Sequence, residues 1–70
     1  MNWNKYRQEK ILFAMYKKNI SKVELSTHLG MSYPTMLTKL KDIGTFKMSE
    51  FDQVCTFLDL DINELIKNKW

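Results

Sequence analysis

The 70-residue sequence contains few of the residues that bend, cross-link or chelate within a chain: two glycines, one proline, one cysteine and one histidine. Because Cys55 is the only cysteine, an intramolecular disulfide is excluded, and His28 alone gives no Cys/His cluster for zinc. We expect Cys55 to be a buried structural thiol and His28 to have no catalytic or metal-binding role. The scarcity of glycine and proline favours regular helices with short connections.

Long apolar runs are also missing from the sequence. The run ILFAMY at residues 11–16 is far shorter than the ~20 residues that a membrane-spanning helix needs. The opening residues MNWNKYRQEK hold no apolar core of the kind found in a signal peptide. We therefore expect one domain over residues 1–70, in the reducing cytoplasm and away from membranes.

Charge is distributed unevenly along the chain. Residues 1–47 contain nine Lys/Arg and three Asp/Glu, whereas residues 48–70 contain two Lys/Arg and five Asp/Glu. This asymmetry indicates a basic face for an anionic partner such as nucleic acid. The alternative is a chance excess of lysines on a soluble surface.

Apolar spacing predicts an all-α fold of five short helices and no strand. The predicted ranges are residues 4–18, 21–30, 32–41, 48–59 and 61–66, with a loop at 42–46. The Asp61–Glu64 pair is a capping-box pattern that opens the fifth helix. The residues expected to face inward are Tyr6, Ile11, Leu12, Met15, Tyr16, Leu25, Leu29, Met36, Leu40, Phe51, Val54, Cys55 and Leu58.

Local signals mark a helix, a tight turn and a second helix between residues 21 and 41. Ser21 and Glu24 form a capping box, and Gly30 can end the helix in the left-handed conformation. Ser32 is a good N-cap for the next helix, and Pro34 falls in its first turn, where a missing N–H costs little. The second helix can therefore begin abruptly and stand out from the domain.

These segments together resemble a known family. Residues 18–66, KNISKVELSTHLGMSYPTMLTKLKDIGTFKMSEFDQVCTFLDLDINELI, resemble the Cro/repressor-type helix-turn-helix proteins of phages and bacteria. Within them, ISKVELSTHLGMS is similar to the first motif helix and turn, KLKDIGTFKMSEF to the loop and fourth helix, and LDLDINELI to the closing helix. The resemblance implies a lambda-repressor-like domain with the motif at 21–41 and closing helices at 48–66. Ser26 stands where this family usually has alanine.

The resemblance implies that helix 32–41 enters the DNA major groove and reads bases through Tyr33, Pro34 and Thr38. The Tyr33 ring could instead fold onto the domain edge, and Pro34 could serve only to fix the helix start. Leu37 could contact a thymine methyl, with packing at the core edge as the alternative. The helix lacks Arg, Asn and Gln, so direct readout should be modest and readout of DNA shape larger.

Phosphate contacts are expected at the start of the second helix, where free N–H groups and the helix dipole favour an anion. Further contacts are expected from hydroxyl and lysine side chains that flank the recognition helix. For each lysine, a solvated surface charge is the alternative. The predicted phosphate-contacting residues are Ser21, Lys22, Thr35, Lys39, Lys41 and Lys47.

The sequence thus predicts a regulator that binds double-stranded DNA, specifically a Cro-like phage repressor that occludes a promoter. An antirepressor- or antitoxin-like protein-interaction module is the alternative. Trp3, Phe13, Phe57 and Trp70 exceed what the motif needs, which favours a homodimer through the C-terminal half on a palindromic operator. In a monomer, Trp3 and Trp70 would cover the core. We expect no enzymatic activity, cofactor or metal.

Overall fold

The computed structural model describes residues 2–66, and this range is helical without a strand. The five helices are α1 (Trp3–Lys18), α2 (Lys22–Leu29), α3 (Tyr33–Lys41), α4 (Met48–Leu58) and α5 (Ile62–Ile66). The predicted all-α class with five short helices is confirmed. No helix among the described residues is long and apolar enough to cross a membrane.

The ends of α2 are fixed by the residues that the sequence predicts. The Ser21 hydroxyl accepts a hydrogen bond from the Glu24 N–H at 3.0 Å, and the Glu24 carboxylate accepts one from the Ser21 N–H at 3.1 Å. At the other end, Gly30 has a φ of +70°, in the left-handed region that a residue without Cβ enters most easily. The capping box and the glycine stop are both confirmed.

Two further helices end at left-handed residues. Asn19 follows α1 as predicted and has a φ of +56°. Asp59, which the sequence analysis placed inside the fourth helix, has a φ of +58° and terminates α4 at Leu58. Asn and Asp tolerate this conformation better than other non-glycine residues. The Asp59 carboxylate also pairs with Lys18 at 2.8 Å, which joins the ends of α1 and α4.

The core is formed mainly by the predicted apolar residues, but α1 is rotated relative to the expectation. Ile11 is fully buried, whereas Tyr16 is 82% exposed and Leu12 is 37% exposed. At 100° per residue, Leu12 and Tyr16 lie about 100° and 140° around the helix from Ile11. The predicted inward orientation of these two residues is therefore wrong. The buried hydrophobic residues are Ile11, Ala14, Met15, Leu25, Met36, Leu40, Ile43, Phe46, Phe51, Val54, Cys55, Leu58 and Leu65.

The connection between α3 and α4 is more ordered than the predicted loop. Residues Ile43–Thr45 form a short 3-10 turn, and Ile43 and Phe46 are both buried. The Thr45 N–H donates to the Asp42 carbonyl at 2.9 Å, which closes this turn. Two apolar side chains therefore attach the connection to the core and restrict its movement.

Arg7 is a buried cation that the sequence analysis did not anticipate. Its side chain is only 2% exposed, and its Nε donates to the Leu65 carbonyl at 2.6 Å. Its Nη1 donates to the Asn4 side chain at 2.8 Å. Burial lowers the pKa of Arg7, although an arginine stays charged because its ordinary pKa is so high. The contact joins α1 to α5 across 58 residues of sequence.

The buried Cys55 thiol should be protected from chemical modification in the folded chain. Burial, followed by the nearby charges of Asp52 and Asp61, raises the pKa of Cys55 to about 12, and the thiolate is the reactive form. We expect an aromatic disulfide reagent at neutral pH to modify Cys55 slowly in the native protein and fast in denaturant, measured by absorbance. Equal rates in the two states would contradict the burial.

Candidate nucleic-acid interface

The α3 helix has one side locked in the core and one side open to solvent. Met36 is fully buried and Leu40 is 4% exposed. On the open side, Pro34 and Thr38 are exposed. Tyr33 is also accessible, with 43% exposure, but it lies only about 60° around the helix from Met36, at the edge between the two sides.

The start of α3 is held by a short network of hydroxyl groups. Ser32 is the N-cap: its Oγ accepts from the Thr35 N–H at 3.3 Å and donates to Thr35 Oγ1 at 2.8 Å. Pro34 lies in the first turn, as predicted. One turn later, Thr38 Oγ1 donates to the Pro34 carbonyl at 3.1 Å. The Thr38 hydroxyl proton is therefore used within the helix, which leaves its oxygen lone pairs and its methyl group for an outside partner.

Several predicted site residues line one shallow cleft beside α3. The cleft has a volume of about 170 Å³ and brings the start of α2 next to the end of α3. Lys22 and Lys41 therefore place two ammonium-bearing side chains beside Leu37 and Thr38. Leu37 is half-buried and lines this cleft, so both the thymine-methyl contact and the packing alternative stay predictions for it. The lining residues are Gln8, Leu12, Lys22, Leu37, Thr38, Leu40 and Lys41.

Gln8, on α1, supports the end of α3. Its side-chain amide donates to the Leu40 carbonyl at 2.7 Å. The last four carbonyls of a helix have no partner within that helix, so this hydrogen bond satisfies one of them and ties the end of α3 to α1. No local sequence pattern indicates this contact, because the two residues are 32 positions apart.

Lys39 differs from the other predicted phosphate-contacting lysines because its ammonium has partners inside the protein. It donates to the Glu50 carboxylate at 3.0 Å and to the Thr45 carbonyl at 2.9 Å. It also lies 5.8 Å from the centroid of the Phe46 ring. Only 16% of the Lys39 side chain is exposed. By contrast, Lys22, Lys41 and Lys47 are exposed, as are Ser21 and Thr35.

Glu50 is held in its charged form by its hydrogen bonds. Its Oε1 accepts from the Lys47 backbone N–H at 2.8 Å and from the Lys39 ammonium at 3.0 Å. The hydrogen bond from Lys47 contributes most to lowering the pKa of Glu50; partial burial opposes it, and the Lys39 ammonium reinforces it. The carboxylate thus caps α4 and links that helix to α3.

The aromatic residues that exceed what the helix-turn-helix motif needs lie in different environments. Trp3 packs edge-on against Tyr6, with ring centroids 5.9 Å apart, and Phe57 stacks on His28 at 3.9 Å. Phe13 alone of the described residues in this group stays largely open, with 59% exposure. Trp70 lies outside the described residues.

The exposed Phe13 ring borders a groove at the junction of α1 and α4. The groove has a volume of about 470 Å³ and is lined by both basic and apolar side chains. The Lys17 ammonium lies 5.6 Å from the centroid of the Phe13 ring. The lining residues are Lys10, Phe13, Ala14, Lys17, Lys18, Leu58, Asp59 and Leu60. This surface differs from the cleft beside α3.

The side chains that could bind a metal do not converge. Within residues 2–66, no group of three or more His, Cys, Asp or Glu side chains could hold an ion. His28 instead makes its ring contact with Phe57, and Cys55 is a buried free thiol.

Comparison with known families agrees with this geometry. A family model described as the Cro/C1-type HTH DNA-binding domain matches residues 10–69. The matched range contains the whole of α2, α3 and the cleft residues except Gln8. Comparisons with curated proteins and with solved structures gave no significant match.

The link between α3 and α4 should make stability depend on the ionisation of Glu50. Because folding lowers the pKa of Glu50, its stabilisation is present above the unfolded pKa of about 4.3 and is lost as pH falls through the lower folded pKa. We expect Glu50→Gln to reduce the free energy of unfolding by about 1–3 kcal/mol at pH 7, and by progressively less below about pH 4. Urea unfolding over this pH range measures the difference.

Asp59→Asn is the matched control for this measurement. It removes an ion-paired carboxylate with 78% side-chain exposure and preserves a residue type that tolerates the left-handed conformation. We expect little change in stability from this substitution. A loss as large as that of Glu50→Gln, or a Glu50→Gln effect independent of pH, would contradict the assignment.

Proposed function

The chain belongs to the Cro/C1-type helix-turn-helix family of DNA-binding regulators, and we propose that it is a repressor of phage or prophage type that occludes a promoter. In this proposal α3 enters the major groove of an operator in the bacterial cytoplasm. The observation that carries it is the exposure of Pro34 and Thr38, with Tyr33 accessible at the edge, on a helix whose opposite face is fixed in the core. A rigid helix presented in this way fits a groove that is ~12 Å wide.

Base readout in this proposal relies on few directional hydrogen bonds. Tyr33 offers a hydroxyl group and an aromatic ring, and Thr38 offers a methyl group and acceptor lone pairs. Contacts with thymine methyl groups and acceptance from exposed amino groups suit these side chains. Because α3 carries no Arg, Asn or Gln, sequence-dependent DNA shape should supply much of the specificity.

Phosphate contacts supply most of the affinity in this proposal. The start of α2 presents Ser21 and Lys22, and the end of α3 presents Lys41 to the same cleft. Thr35, in the first turn of α3, and Lys47, just before α4, are also exposed. Each lysine that neutralises a phosphate releases counterions, so duplex affinity should fall steeply with salt.

We further propose that two copies bind a palindromic operator as a homodimer. The groove beside Phe13 supports this proposal because it combines an exposed aromatic ring with the half-buried Leu60 from the C-terminal half. Phe57 and Trp3 already pack against partners within the chain, so they contribute less to such an interface. A dimer would place its two recognition helices ~34 Å apart, at half-sites one DNA turn apart.

A protein-interaction module of antirepressor or antitoxin type is the second candidate. The same Phe13 surface favours it, because Lys17 lies over the exposed Phe13 ring and Lys10 lines the same groove, so the ring could anchor an acidic partner. Salt-dependent binding to duplex DNA distinguishes the two candidates. A chain that binds no duplex but forms a tight protein complex would favour the module.

Selection of duplexes from a random-sequence pool tests the proposed regulator and shows whether the site is palindromic. We expect Thr38→Ala to change base preference at one or two positions, since it removes a methyl group and an acceptor from the open face. Lys22→Ala should weaken binding to all duplexes alike and reduce the slope of log affinity against log salt by about 0.9.

Lys5→Ala is the matched control for Lys22→Ala. It removes the same charge from an exposed position on α1 that lines neither the cleft beside α3 nor the groove beside Phe13. We expect the control to bind DNA with the wild-type salt slope. If Thr38→Ala leaves base preference unchanged, the assignment of the reading face is wrong. If Lys5→Ala matches Lys22→Ala, the assigned phosphate cleft is wrong.

A further inference from the structure

The connection between α3 and α4 carries two of the exposed lysines assigned to phosphate contacts. Lys41 is the last residue of α3, and Lys47 directly precedes α4. Their separation depends on the path of the chain between them, which includes the 3-10 turn at Ile43–Thr45. The contacts that fix the conformation of this connection therefore also determine where the two ammonium groups can meet a DNA backbone.

The Lys39 side chain restrains the connection between α3 and α4 through contacts within the protein. Its ammonium reaches the Thr45 carbonyl at the end of the 3-10 turn and the Glu50 carboxylate in the first turn of α4. Two of its three N–H donors are therefore used on groups that belong to the connection and to the next helix. The ammonium also lies over the Phe46 ring, whose side chain is buried in the core.

Glu50, in the first turn of α4, restrains the other end of the connection. A single oxygen, Oε1, accepts both from the Lys39 ammonium and from the Lys47 N–H. The carboxylate therefore fixes the backbone of Lys47 directly and the end of α3 through Lys39. Both side chains are largely covered, with 16% exposure for Lys39 and 23% for Glu50. A covered, hydrogen-bonded pair is less weakened by solvent than an ordinary surface pair.

We propose that Lys39 and Glu50 are positioning residues for DNA binding: they make no contact with DNA and hold Lys41 and Lys47 where those lysines reach the phosphates. This assignment replaces the phosphate contact that the sequence predicts for Lys39. It rests on the proposed DNA-binding function. The pair acts on affinity through the geometry of the connection and not through its own charge.

Salt titrations of duplex binding test the proposal, with the best duplex recovered from the random-sequence pool as the probe. The variants are Lys39→Met and Glu50→Gln, with Lys41→Met as the control for a direct phosphate contact. We expect Lys39→Met to weaken binding by about three- to thirty-fold, because the connection must then be ordered on binding. The wild-type salt slope should remain, because Lys41 and Lys47 still contact phosphates once the complex has formed. Lys41→Met should lower the slope by about 0.9.

DNA binding by Glu50→Gln distinguishes the positioning role from an effect of charge alone. Removal of a negative charge near DNA would tighten binding if charge alone mattered. The positioning role predicts the opposite, a weakening similar to that of Lys39→Met with an unchanged slope. Circular dichroism at the titration temperature establishes that each variant is folded, and Glu50→Gln serves as an independent test if Lys39→Met is not.

A reduced salt slope in Lys39→Met, or unchanged or tighter binding by folded Glu50→Gln, overturns the positioning assignment alone. A wild-type chain that binds no duplex at any salt concentration overturns the proposed function and this inference together. The wild-type titration therefore distinguishes the two failures.

Discussion

The anchoring of α3 through Met36 and Leu40 is the constraint on which the rest of the site depends. A nine-residue helix is too short to be stable by itself, so its helical state requires packing against the core. Truncation of a buried Leu or Met to Ala typically costs about 2–5 kcal/mol, a large part of the 5–15 kcal/mol that stabilises a typical domain. Because this packing occupies one side of α3 completely, the opposite side, with Pro34 and Thr38, stays open to solvent.

Polar contacts at both ends of α3 fix the orientation of this helix, which the Met36 and Leu40 side chains anchor in the core. Ser32 caps its start, whereas Gln8 and Lys39 hold its last turn to α1 and to the α3–α4 connection. A helix restrained in this way loses little conformational freedom on binding, which reduces the entropic cost of recognition. The same restraints separate the positively charged groups into two kinds: those that face solvent and those, such as Lys39 and Arg7, that hold the fold together.

The features that the sequence predicted correctly are local ones. The Ser21–Glu24 capping box, the left-handed Gly30 and the Ser32 cap depend on residues within a few positions of each other, so their patterns are visible without a structure. The missed features join distant elements: Arg7 to Leu65, Gln8 to Leu40 and Lys39 to Glu50. Lysine and arginine also have long apolar stems, so composition alone does not show whether the charged end reaches solvent or turns inward.

The central claim is that the open side of α3 is the surface that meets the double helix. The most direct measurement is an NMR titration of the isotope-labelled protein with duplex DNA, followed through its backbone amide signals. The account predicts the largest changes at Tyr33, Thr35 and Thr38 and at the start of α2, with smaller changes in the buried parts of α4. Signals of these three α3 residues that stay unchanged at saturating DNA, while another surface responds, would contradict it.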